Sequence, residues 1–75
     1  MLNPDMIFDD FKSHVGDLVE ININLENQNE ILNFVAKVIG ACRDTNEISN
    51  NYVVIKLGDG CAFVPFNSIT SYQFV

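Results

Sequence analysis

At Gly16 the apolar spacing of this chain changes period, and that change dictates most of what it can fold into. Before it, Ile7, Phe8, Phe11 and Val15 fall at i, i+1, i+4 and i+8, a single stripe along a helix. Asn3-Pro4-Asp5 supplies a start: a capping side chain, a proline at the first helical position, and an acid in the first turn. Lys12 and His14 suit the negative end of the macrodipole, and Gly16 suits the left-handed residue beyond it. The spacing predicts one amphipathic helix over about 4–15, with Asp5, Asp9 and Asp10 off its apolar stripe.

After Gly16 the period is two. Val19, Ile21, Ile23 and Leu25 alternate with Glu20, Asn22 and Asn24, which reads as a half-buried strand, and Glu26–Glu30 as a polar turn. A second strand runs from about Ile31 to Ala41 with Leu32, Phe34, Ala36 and Val38 on one face. Its reverse face, Val35, Lys37 and Ile39, is more apolar than a solvated face should be. Arg43–Asn50 reads as a loop and Tyr52–Leu57 as a third strand, closed by the hairpin turn Gly58-Asp59-Gly60. Cys61–Phe66 is a fourth strand interrupted at Pro65, Asn67-Ser68 a bend, and Ile69–Phe74 a short fifth strand. One helix, then five short strands with tight turns, predicts a mainly β chain closed into a small antiparallel barrel. The expected core is Val19, Ile21, Ile23, Phe34, Val38, Val53, Ile55 and Ile69, with Phe8 and Phe11 closing one end.

Length and charge set the remaining bounds. Seventy-five residues make one domain, 1–75, with the helix over about 4–15 and the barrel over about 17–75. A domain this small buries only about 60% of the surface its unfolded chain exposes, so it needs support from disulfides, metal or association. Cys42 and Cys61 are too few for a disulfide framework, and with His14 they complete a zinc set only if a carboxylate joins them; they read as half-buried reduced thiols of a cytoplasmic protein. No cofactor is expected. Self-association is left as the source of extra burial. Ten acids against four bases give a net charge of −6, and Lys12, Lys37, Arg43 and Lys56 are scattered singly, which argues against a DNA ligand. No apolar run approaches the roughly 18 residues of a membrane span, and no basic segment precedes a signal-like core.

The order of elements resembles the Sm-like (LSm/Hfq-like) family of small barrels. Ala36-Lys37-Val38-Ile39-Gly40-Ala41-Cys42 is similar to its Gly-x-Leu-x-Gly-Phe-Asp stretch, with Gly40 in place and Cys42 where the aspartate stands. Asn51-Tyr52-Val53 is similar to the Met-Asn-Leu that opens the next strand, after a longer loop. Phe63-Val64-Pro65-Phe66-Asn67-Ser68-Ile69 resembles Phe-Ile-Arg-Gly-Asn-Asn-Ile with Pro65-Phe66 in place of Arg-Gly; the lysine and histidine of the Hfq version, Tyr-Lys-His-Ala-Ile, are absent. The resemblance implies a five-stranded, strongly bent Sm-like or SH3-like barrel and a non-enzymatic, homo-oligomeric ring. It also implies single-stranded RNA as ligand, contacted through Asn51, Tyr52, Phe66, Asn67 and Ser68.

The residues themselves support a blander reading of those positions. Asn67 and Ser68 are bend-formers, Asn51 starts a strand, and phosphate recognition lacks its cations in an acidic chain. Edge strands implied by Pro65 and the short last strand point to a subunit interface at Phe63, Phe66, Tyr72 and Phe74. The alternative is an acidic scaffold or protein-interaction module of the small-barrel type that binds no RNA. No catalytic set stands out. His14 reads as a solvated residue at a helix end, and Asp9-Asp10 diverge on the helix. Glu26/Glu30 read as solvated turn acids, and Gly58-Asp59-Gly60 lacks the helix of a phosphate loop.

Overall fold

Asn3 begins the helix as its sequence dictates: its Oδ1 accepts the Asp5 N–H at 2.8 Å, and Pro4 occupies the first helical turn, where its missing donor costs nothing. The computed structural model describes residues 2–24, 29–47 and 51–75. Helix α1, Pro4–Ser13, is shorter than its apolar spacing suggests. His14 leaves helical geometry, its N–H donates back to the Phe11 carbonyl at 3.2 Å, and Gly16 turns the chain at φ 94°. Val15 therefore falls beyond the stripe and is exposed.

Five strands follow: β1 Leu18–Asn24, β2 Ile31–Cys42, β3 Tyr52–Leu57, β4 Gly60–Pro65 and β5 Ile69–Phe74. They form one antiparallel sheet in the order β4-β3-β2-β1-β5. Leu25, Glu26-Asn27-Gln28 and Ile48-Ser49-Asn50, which entered the expected first strand, turn and loop, lie outside the described residues. The register sets Val19 against Ala36, Ile21 against Phe34, Val38 against Ile55 and Val53 against Val64, so these side chains share one face. Between Val38 and Gly40 the β2–β3 register shifts, leaving Ile39 as the extra residue of a bulge.

Helix α1 covers the inner face. Ile7 and Phe11 are fully buried, and the Phe11 ring lies 5.0 Å from Tyr72 and 5.2 Å from Phe74. The Tyr72 hydroxyl donates to Asp10 Oδ2 at 2.6 Å, His14 stacks on Phe74 at 3.8 Å, and Arg43 pairs with Asp5 at the opposite end of the helix. The core joins Ile7 and Phe11 to Val19, Ile21, Ile23, Ala36, Val38, Ala41, Val53, Ile55, Val64, Phe66 and Ile69. Phe34 and Phe8 are only partly buried against it.

The expected Sm-like or SH3-like barrel is not formed. The sheet is open: β4 and β5 are its two edges, each paired with one neighbour and not with the other. The turn between them explains the arrangement. Pro65 has no N–H to prolong a ladder, and the chain leaves β4 through a 3₁₀ turn, Phe66–Ser68. The Phe66 N–H donates to the Asn51 carbonyl at 3.1 Å, which ties that turn to the head of β3, and β5 then runs along β1.

Candidate docking surface on the outer face of the sheet

The outer face divides into two chemically distinct halves because successive residues of each strand point to opposite sides. Toward β5 it is a polar ladder. Asn33 Nδ2 donates to Asn22 Oδ1 and Asn22 Nδ2 donates to Ser71 Oγ, both at 2.8 Å, so three strands are linked by side chains that satisfy one another. Toward β4 it is apolar. Val54 lies opposite Phe63, Tyr52 lies opposite Pro65, and the Tyr52 and Phe63 rings sit 5.3 Å apart as a diagonal cross-strand pair. Phe63 is 67% exposed on a strand whose outer edge has no partner among the described residues, and Val35, Ile39 and Leu18 extend the exposed apolar surface across the sheet. The reverse face of β2 that looked too apolar in the sequence is this surface.

Two lysines interrupt it. Lys37 and Lys56 are directly opposite each other across β2 and β3, and Cys61 follows Lys56 on β4 in the same row. Both lysines are exposed, and among the described residues neither lies within ion-pair distance of an acid. Cys42 lies opposite Tyr52, and the neighbouring thiol, by hydrogen bonding and by its charge when ionised, raises the Tyr52 pKa above its ordinary value. The thiols are exposed rather than half-buried, because both fall on the outer face. The register separates them by four positions along β4, at least about 13 Å at 3.3 Å per residue, so they stand too far apart to bridge.

The residues expected as RNA contacts lie together where the Phe66–Ser68 turn meets the head of β3, but their side chains do not form one exposed surface. Asn51 is 6% exposed and its Oδ1 accepts the Asp44 N–H at 2.7 Å, which holds the loop after β2. Phe66 and Ser68 are buried, Tyr52 is half-buried on the outer face, and Asn67 is exposed. Among the described residues, Asn67 lines a depression of about 330 Å³ with Leu2, Ile69 and Thr70, none of them charged. Of the residues proposed for a subunit interface, Phe63 is on the open surface. Phe66 belongs to the core, and Tyr72 and Phe74 pack beneath α1. The surface lysines at β2 and β3 were each visible in the sequence, but their adjacency depends on a register that no local pattern reveals.

Among the described residues, no group of three or more His, Cys, Asp or Glu side chains could hold a metal ion, and no helix is long and apolar enough to cross a membrane. No protein-family model, curated protein or solved structure matches the chain. The Sm-like resemblance rested on a barrel, and the open sheet and this lack of any match overturn it. The homo-oligomeric ring and the RNA ligand, which followed from that resemblance, fall with it.

Proposed function

We propose that the protein is a non-enzymatic binding module that takes an extended segment of another protein onto the open edge of β4 and the outer face beside it. The observation that carries this reading is Phe63, 67% exposed on an unpaired edge strand and backed by Tyr52 and Val54. An edge offers a row of backbone donors and acceptors, and pockets for alternate side chains beside it give such pairing its selectivity. The exposed, well-separated thiols fit a reducing compartment, and the reading places the protein in the cytoplasm.

Selection from a displayed library of random peptides, with the chain as bait, tests this. Bound peptides should slow amide exchange across Gly60–Pro65 and leave β5 unchanged, and Phe63→Ser should weaken binding by about tenfold or more, as loss of a buried aromatic anchor does. Binders that keep their affinity after Phe63→Ser would overturn the proposal. Protection of the β4 amides in the isolated chain, accompanied by dimeric mass, would show that a second copy occupies the edge instead.

A further inference from the structure

The placement of charge on the sheet identifies the chemistry of that segment. The described strands carry two bases, Lys37 and Lys56, and one acid, Glu20, although the chain as a whole bears −6. The negative charge resides in α1, where Asp5, Asp9 and Asp10 lie on the covered side of the sheet, and in the connecting segments. Interactions between exposed charges fade over about 8 Å at physiological ionic strength, so a ligand at the β4 edge meets the charges beside it, Lys56 and Asp59 of the β3–β4 hairpin, before the acids of α1. Like charges directly opposite on neighbouring strands repel, and among the described residues neither lysine is held in an ion pair, although Glu20 is the diagonal neighbour of Lys37 on the same face.

From this arrangement we infer that the β4 edge selects an extended segment carrying an acidic residue two positions from an apolar one. The inference rests on the docking reading above. The register supplies the spacing. A strand added beside β4 sets alternate residues next to Cys61 and Phe63, which are themselves two apart. The residue beside Cys61 extends the row Lys37–Lys56–Cys61, and a carboxylate there lies two strands from Lys56, about 10 Å between backbones, within the combined reach of a glutamate and a lysine. Lys37 stands behind Lys56 and adds its charge to the same row. The residue beside Phe63 meets a ring packed on Tyr52 and Val54, which calls for an apolar side chain. Because the spacing is symmetric about the acid, a segment of the form Val-x-Glu-x-Val satisfies it in either strand direction.

Three capped heptapeptides, Thr-Val-Thr-Glu-Thr-Val-Thr and its versions with Gln or Lys at the centre, test the inference by fluorescence anisotropy at low and high salt. The Glu peptide should bind about five- to tenfold more tightly than the Lys peptide at low salt, the scale of an exposed ion pair exchanged for a repulsion, and the gap should narrow at high salt. Lys56→Gln should bring the Glu peptide down to the Gln peptide, and Lys37→Gln should do so in part. Equal binding of all three, lost with Phe63→Ser, would overturn the acidic preference while leaving the docking reading intact. Tighter binding of the Lys peptide would overturn it in favour of the chain's overall charge. Failure of every peptide, at concentrations where library-selected binders do bind, would overturn the proposed spacing.

Discussion

Tyr72 joins the helix to the last strand through one polar contact, and its chemistry makes that contact dependent on pH. Its phenol donates to Asp10 Oδ2 at 2.6 Å beside the buried Phe11 ring. Burial, then the hydrogen bond and charge of Asp10, hold its pKa well above the ordinary tyrosine value of about 10. An acid whose pKa is raised by folding contributes stability that is complete below its unfolded value and declines as pH rises past it. Tyr72→Phe should therefore lower stability by about 1.5–3 kcal/mol at pH 7, the worth of a hydrogen bond to a charged group. The difference from the unsubstituted chain should shrink as pH rises above about 10, read as urea midpoints on either side of that value. A constant difference would mean that the ring, not the hydroxyl, carries the effect. Residue by residue, the sequence predicted burial better than role. Tyr72 and Phe74 were expected at a subunit interface because they alternate with polar residues, but alternation identifies a shared face without saying what covers it. Phe11 and His14 cover theirs.

At the scale of elements, caps and periods were legible, whereas the ends and irregularities of elements were not. The Asn3 cap and the strand faces were readable because each depends on neighbours in the chain. The helix C-terminus and the Ile39 bulge depend on tertiary pairing: the Gly16 N–H donates to the Val38 carbonyl, and the Val38 N–H to that of Asp17, both at 2.9 Å. Seven of the eight strand residues expected in the core are buried, and Phe34 is only half-buried near the far end of β2. Ala36 was placed on the right face but not counted in the core, and Ala41, Val64 and Phe66 were missed, since a small residue or one beside a proline gives a weak apolar signal. The two glycines flanking this region separate conformational need from mere presence. Gly16 holds a φ of 94°, which strains any residue with a Cβ, whereas Gly40 has ordinary φ and open space where a Cβ would go. Gly16→Ala should destabilise by about 1–2 kcal/mol and Gly40→Ala by less than about 0.5 kcal/mol, or should stabilise slightly, in thermal or urea unfolding. Equal losses at both positions would contradict this assignment of the turn. Gly40 anchored the family resemblance, and in this fold nothing requires a glycine there.

For the whole molecule, the sequence specified the strands and their faces but not whether the sheet closes. A period of two records which side of a strand meets the core, and it carries no record of which strand lies at an edge. That information resides in Pro65, the 3₁₀ turn and the Asn51 carbonyl that receives the Phe66 N–H, an interaction across 15 positions of sequence. The consequence is a small chain with two unpaired edges and an exposed apolar face, features that promote unwanted pairing between copies. Net charge opposes that pairing. At pH 7 each copy carries −6, and mutual repulsion keeps edges apart; near the pI of about 4.2 the repulsion vanishes while the edges and the Phe63 surface persist. Light scattering should therefore rise steeply as pH falls toward about 4.2, and at pH 7 should rise modestly with added salt as screening shortens the repulsion. Phe63→Ser, which changes no charge, should delay the onset to a lower pH or a higher protein concentration, while Thr70→Ser on the opposite edge should not. The same onset in both variants would locate the sticky surface elsewhere. An onset independent of pH would show that charge is not what keeps copies of this open sheet apart.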